Sequence, residues 1–281
     1  MSKFLQLAAQ QRRRAAAQHA PRAIAQDAAA GVRVDQPHSI QHEVEEEVLD
    51  DHILLSCSGV KKTYKKGKHV VPVLRGVDLD VPAEQFTAII GQSGSGKSTL
   101  LHLLATLDRP DAGEIYLEDR RIDTLGSKGK ELLRNSYYGM IFQFYHLLPE
   151  LTALENVLIP KMISDTAMNY FWNRRKYMER AKHLMHQVGL SHRLRHKPNQ
   201  LSGGEMQRTA IARALISNPR ILLADEPMGN LDEETGAGIL DILRSLNEQH
   251  HLTIVMVTHD QEVARTADQT VVLTQGRVER V

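Results

Sequence analysis

The segment Gly91-Gln92-Ser93-Gly94-Ser95-Gly96-Lys97-Ser98 leaves a chain little choice of local structure. Its glycines allow a tight backbone turn whose N–H groups converge on the first turn of a following helix. Unpaired amides and the helix dipole then hold negative oxygens. The full G-x-x-x-x-G-K-[ST] pattern needs a strand before it and a helix after it. Both are present: Phe86-Thr87-Ala88-Ile89-Ile90 reads as a buried strand, and residues 97–107 read as a helix. A glycine-rich loop that merely turns has no need of those flanks. The pattern therefore implies a nucleoside triphosphate site built from Gly91, Gln92, Ser93, Gly94, Ser95, Gly96, Lys97, Ser98 and Thr99. Lys97 would reach the β- and γ-phosphates, and the Ser98 hydroxyl would ligate Mg²⁺.

A second motif supplies the acid chemistry. Ile221-Leu222-Leu223-Ala224 is an apolar run ending at Asp225 and Glu226. Adjacent acids on a surface turn would simply be solvated. At the end of a buried strand, with a phosphate loop upstream, Asp225 is placed to hold magnesium. Glu226 is placed to polarise an attacking water as general base. His259 follows another apolar run, Ile254-Val255-Met256-Val257-Thr258, and would reach the γ-phosphate from a second strand end. On its own, a histidine at a strand end is an ordinary structural residue.

Composition narrows the class. The 281 residues carry 35 Lys and Arg against 34 Asp and Glu, a balance that lacks the basic excess of a nucleic-acid binder. The one cysteine, Cys57, has no intrachain partner; it fits a reducing compartment and reads as a small buried apolar residue. No run approaches 18 apolar residues, so no membrane-spanning helix is expected, and the N-terminus lacks the continuous apolar stretch of a secretory signal.

Residues 1–50 differ from the rest: Ala/Gln-rich sequence with Arg12-Arg13-Arg14 gives way to an acidic block at residues 43–47. That composition predicts a low-complexity, disordered extension with transient helix. The folded region is expected over residues 51–281. Strands are predicted within residues 71–79, 114–117, 138–142, 221–224 and 252–258. Residues 151–190 read as mainly helical, as do residues 233–248. Alternating strands and helices predict an α/β core with a mainly parallel sheet.

Between the two phosphate motifs lies Leu201-Ser202-Gly203-Gly204-Glu205. With those motifs it makes the chain resemble the ATP-binding subunits of ABC transporters over residues 53–281. The resemblance implies a P-loop core with an inserted helical subdomain, about residues 144–218, and an antiparallel β subdomain. It implies ATP and Mg²⁺ as cofactors and a homodimer with ATP between two copies. Ser202, Gly203 and Gly204 would face the nucleotide bound by the other copy; a Ser-Gly-Gly turn by itself would imply nothing of the kind. Gln143 matches a glutamine that senses magnesium and the attacking water, and His259 matches the family's switch histidine. Asp232, in Gly229-Asn230-Leu231-Asp232, matches a loop joining the two sites. Tyr64 stands where the family stacks adenine. Gln92 and Met228 replace residues the family often has as proline and threonine, neither of which carries the phosphate chemistry.

Two stretches narrow the branch: Val71-Pro72-Val73-Leu74-Arg75-Gly76-Val77, and residues 142–157 with Phe142-Gln143-Phe144-Tyr145-His146-Leu147-Leu148-Pro149. They resemble the bacterial lipoprotein-releasing ATPases and their relatives in macrolide export, peptide export and cell division. The resemblance implies a peripheral protein at the cytoplasmic face of the inner membrane, working with integral permease subunits that recognise the cargo. Residues 144–151 are then expected to lie partly buried against a permease helix, although their aromatic and leucine side chains suit a core equally well. Met162 to Trp172 carries no chemistry that the pattern assigns. A soluble ABC protein of translation or repair would carry tandem cassettes or a long coiled coil, and the chain has neither. A module that binds ATP without turnover is disfavoured by the presence of both Glu226 and His259. A P-loop kinase is disfavoured by residues 201–205 and 229–232.

Overall fold

The computed structural model describes residues 52–67 and 69–279, so the expectation for residues 1–50 lies outside the described residues. Strand β3 (Phe86–Ile90) sits inside a six-stranded sheet. Its neighbours are β8 (Thr253–Val257) and β9 (Gln269–Thr274), both parallel to it. Beyond β8 come β7 (Ile221–Asp225) and β6 (Tyr138–Ile141), also parallel. The short β10 (Arg277–Glu279) closes the other edge antiparallel. Central strands without a polar face need cover on both sides. Alternate residues divide between two cores: Ile89, Leu223, Val255 and Val257 enter one, while Phe86, Leu222, Ile254 and Met256 enter the other.

The first core is roofed by a four-stranded antiparallel sheet. It consists of the long hairpin β1 (Ile53–Lys66) and β2 (His69–Pro82), then β4 (Ala112–Leu117) and β5 (Arg120–Arg121). Between the layers run α1 (Lys97–Leu104) and the neighbouring α2 (Ser127–Ser136). Cys57 is buried in this core, and burial pushes its thiol up to about 12, so it remains a neutral packing residue.

The second core holds the helices inserted between β6 and β7: α3 (Ala153–Ser164), α4 (Ala167–Gln187) and α5 (Gly203–Leu215). The amphipathic α6 (Glu233–His250) packs on the same side through Ile239, Leu243 and Leu246. A one-turn helix, α7 (Gln261–Ala264), precedes β9.

Two expectations on extent change. The first helix ends at Leu104, three residues early, because Thr106 takes a left-handed φ of 57°. That turn brings Asp108 to Lys62 (2.9 Å) and to the Tyr64 hydroxyl (2.9 Å). The strand expected within residues 71–79 runs over 69–82, since its partner β1 extends the ladder beyond the apolar stretch visible in sequence.

Candidate functional site

The phosphate loop begins where β3 ends. Gly96 caps α1 with φ 106°, and a Cβ there would lie 2.8 Å from Leu74 Cδ2. Positive φ and contact with β2 both require glycine at this position. The first-turn amides of α1 have no helical partners and face the loop. Lys97 is buried, and its ammonium donates to the carbonyls of Gly91 (2.9 Å) and Gln92 (3.1 Å). This holds a positive charge over the loop. The buried Ser95 hydroxyl has no hydrogen-bond partner. A cleft of about 540 Å³ opens over residues 91–95, with His259 and Gln275 on its walls.

Ser98, the second residue of α1, donates its hydroxyl to Asp225 Oδ1 at 2.8 Å. The other Asp225 oxygen lies 3.7 Å from His102 Nε2, one turn along α1. Burial raises the Asp225 carboxyl above its ordinary range, assisted by the neighbouring Glu226 charge and opposed by Ser98, His102 and Lys97. His102 gave no sequence signal, because its relation to Asp225 depends on α1 packing against β7.

Glu226 takes φ 44°, a strained conformation for a side-chain-bearing residue. Its backbone is fixed from both directions: its N–H donates to Val257 O, and its carbonyl accepts from Gly229 N–H, each at 3.0 Å. The turn brings its carboxylate within 3.5 Å of His259 Nδ1. Gln143 approaches from the end of β6. A Cβ on Gly229 would meet Gln143 Nε2 at 3.1 Å and Glu226 Oε2 at 3.2 Å, so these two side chains flank that glycine. Asn230 donates to Gln143 O at 3.0 Å and ties the two loops together. Ser98, Gln143, Asp225, Glu226 and His259, drawn from three strand ends and a helix, therefore converge.

Tyr64 is partly exposed on β1, with its hydroxyl on Asp108 and its side chain beside Thr99 of α1. Burial and the Asp108 hydrogen bond raise its phenol. Lys62 stands 5.2 Å from the ring centroid.

The remaining candidates cap helices, and Asp232 also lines a cleft with Glu226 and His259. Ser202 caps α5 in a reciprocal box: its hydroxyl accepts from Glu205 N–H, and Glu205 accepts from Ser202 N–H at 2.8 Å. Those bonds, with Arg193 donating to Glu205 at 2.7 Å, hold the Glu205 carboxyl below its usual range. Gly204 is a packing requirement too, since a Cβ there would lie 2.3 Å from Thr235 Cγ2. Asp232 caps α6 through Thr235 N–H at 2.9 Å and its hydroxyl at 2.8 Å. Among the described residues, none of the hydrogen bonds of Ser202 or Asp232 reaches the phosphate loop.

Sequence reading missed a clamp on the loop after Gln143. Arg213, on α5, donates to the carbonyls of Tyr145 (2.6 Å) and His146 (2.5 Å), both of which have left-handed φ. The buried Asn156 fixes the rest of the loop by donating to Leu148, Leu151 and Thr152 carbonyls and accepting from Leu148 N–H. Phe144 and Leu148 remain exposed, so the open question of core or surface falls on the side of surface for these two.

Residues 74–229 match the family described as ABC transporter. The chain belongs to this family. Two curated relatives are the lipoprotein-releasing system ATP-binding protein LolD 2 of Rhodopirellula baltica and LolD of Acinetobacter baylyi. The first is 52% identical over 81% of this chain and 89% of its own length. The second is 46% identical over 80% and 96%. Among solved structures, the bacterial ABC transporter cassette MJ0796 in its dimeric form is 40% identical, with a TM-score of 0.72, over 80% of this chain and 97% of that one. The fold is thus that of the P-loop ABC ATPases, with helical and antiparallel β subdomains, and the chain is an ABC-type ATPase.

Family membership implies a bound nucleotide and a divalent cation, and the donor set fits both. Loop amides, Lys97 and the unpartnered Ser95 hydroxyl suit phosphate oxygens. Ser98 and Asp225 present hard oxygens side by side. Among the described residues, no three His, Cys, Asp or Glu side chains form a metal cage of their own. Mg²⁺ held largely by phosphates and water needs only one or two protein oxygens.

Proposed function

We propose that the chain hydrolyses ATP with Mg²⁺ at a site shared between two copies, and that the closure of the pair drives release of lipoproteins from a membrane by partner permease subunits. The observation that carries the hydrolytic part is the meeting of Glu226 and His259 beside the Ser98–Asp225 pair. Glu226 accepts the proton of the attacking water, His259 and Gln143 orient the reacting groups, and Lys97 balances phosphate charge. Asp225 and Ser98 hold the cation, with Gln143 within reach of it. Ser202, Gly203 and Gly204 belong to the second copy's nucleotide, which accords with the lack of a hydrogen bond from Ser202 to the phosphate loop of its own chain. Tyr64 stacks the base.

The lipoprotein part rests on likeness to relatives named for that system, which extends along nearly their whole length. No helix among the described residues is long and apolar enough to cross a membrane; in this reading the chain sits at the cytoplasmic face of the membrane against its permease partners. Phe144 and Leu148, on a loop locked by Arg213 to α5, offer a surface for a permease helix. The test is isolation of the native complex from mildly solubilised membranes. Recovery of an integral protein with a large extracytoplasmic domain, together with lipoprotein, is expected. Recovery with ribosomes or repair proteins and no membrane subunit would overturn the transport reading and leave the ATPase chemistry intact.

A further inference from the structure

The segment without assigned chemistry, Met162 to Trp172, has a defined surface. Five of the eleven large hydrophobic side chains exposed among the described residues fall within these 11 positions: Met162, Ile163, Met168, Phe171 and Trp172. Phe171 is 75% and Trp172 81% exposed. A patch of this density on a soluble surface marks a contact site.

The helical period explains the layout. Along α4, Tyr170, Tyr177, Ala181 and Leu184 follow one stripe, and the last three pack inward. Met168, Phe171, Trp172 and Arg175 occupy the opposite stripe, with Lys176 beside it. The outward stripe is therefore apolar and aromatic in its first two turns and basic in the next. Arg174, Arg175 and Lys176 have no ion-pair partner among the described residues. The nearby acids are engaged elsewhere: Glu179 with Lys182 at 3.1 Å, and Asp165 with the Tyr177 hydroxyl at 2.6 Å. The turn beneath is rigid, because Thr166 caps α4 and Tyr177 stacks on Tyr170 with centroids 5.9 Å apart.

We propose that this helical corner, Met162 to Lys176, seats directly on an anionic lipid surface. Phe171 and Trp172 enter the boundary between headgroups and acyl chains, while Arg175 on the same stripe and Lys176 beside it pair with lipid phosphates. Aromatic rings favour that depth, and adjoining cations add affinity for acidic lipids. An apolar protein groove would match the apolar residues but would leave the unpaired cations Arg175 and Lys176 without a reason. The contact is separate from the permease surface at residues 144–148 and does not depend on the transport reading, since a vesicle contains no permease.

Trp172 is the one tryptophan in the chain and reports on the corner by itself. Full-length protein is mixed with vesicles of phosphatidylcholine alone or with phosphatidylglycerol. Expected with the acidic vesicles are a blue shift of Trp172 emission and quenching by brominated acyl chains. Replacing Arg175 and Lys176 together by Gln should weaken binding on the order of 30-fold. Phe171→Ser should reduce quenching, and basal ATPase rates should not change in either variant, which shows that both fold. Sedimentation with vesicles but unchanged Trp172 emission would place binding elsewhere in the chain and overturn the proposal. So would absence of binding, an equal response to neutral vesicles, or a Trp172 shift that appears only with a reconstituted membrane protein.

Discussion

The two phosphate-facing halves of the molecule are built by different means. Around the phosphate loop, Lys97, Ser98, Asp225, Glu226 and His259 sit within a few ångströms of partners in the same chain, held by a parallel sheet buried on both faces. Ser202 to Gly204 form a helix start whose reciprocal box pairs Ser202 with Glu205. One half is a site that tertiary convergence assembles, and the other is a helix terminus organised by its own capping box. The difference teaches that the first half is preorganised by long-range contacts within one chain, while the second is fixed by its own helix start, as the proposed sharing of sites between two copies requires.

The sharpest way to break this comparison is at Glu226. Glu226→Gln should lower steady-state hydrolysis by about 10²–10⁴-fold, as expected for loss of a general base, while ATP still binds and a closed pair accumulates. Unchanged turnover by phosphate release would remove the assigned role.

Mixing two inactive variants separates the halves. Lys97→Ala and Ser202→Arg should each be inactive alone. In mixed dimers one site keeps both an intact loop and an intact cap, so up to about a quarter of wild-type activity should return. No recovery at any mixing ratio would mean that each chain uses its own cap.

Arg213→Met probes the connection between them. Loss of two charged hydrogen bonds to Tyr145 and His146 should cost about 1.5–3 kcal/mol, seen as a lower melting temperature. Activation by membrane partners should fall more than basal hydrolysis does.

The smallest effect concerns the buried carboxylate. Asp225 has a folded pKa raised by burial, so its protonated form is the one the nucleotide-free fold favours. The stability this adds is complete below the unfolded pKa and is lost as pH rises through the folded value. At neutral pH, Asp225→Asn should therefore raise the melting temperature of the nucleotide-free protein, by roughly 2–4 °C for each kcal/mol relieved. The gain should vanish at acid pH, and hydrolysis should be lost throughout. A lower melting temperature in the variant at neutral pH would refute this account.

Much of the site was legible because phosphate binding is mainly backbone chemistry with tight local rules. Gly91 to Ser98 states its strand–loop–helix context within a dozen residues, and Ser202 with Glu205 states a helix start. The partners at a distance were not legible. His102 beside Asp225, Arg213 on the Tyr145 and His146 carbonyls, and Asn156 inside its loop each depend on elements brought together from far along the chain. Strands β9 and β10 were missed too: β10 is a three-residue edge strand, and the inner β9 mixes polar and apolar residues without a clear period of two.

The sequence alone determined the phosphate loop, the acidic strand end and the capped signature helix, because each is a local agreement between residue type and backbone geometry. Only the tertiary structure decided that Glu226 meets His259, that Arg213 reaches the loop after Gln143, and that Phe171 and Trp172 stand in the open. Those outcomes depend on which faces the sheet and helices bury against one another, and no single segment carries that information.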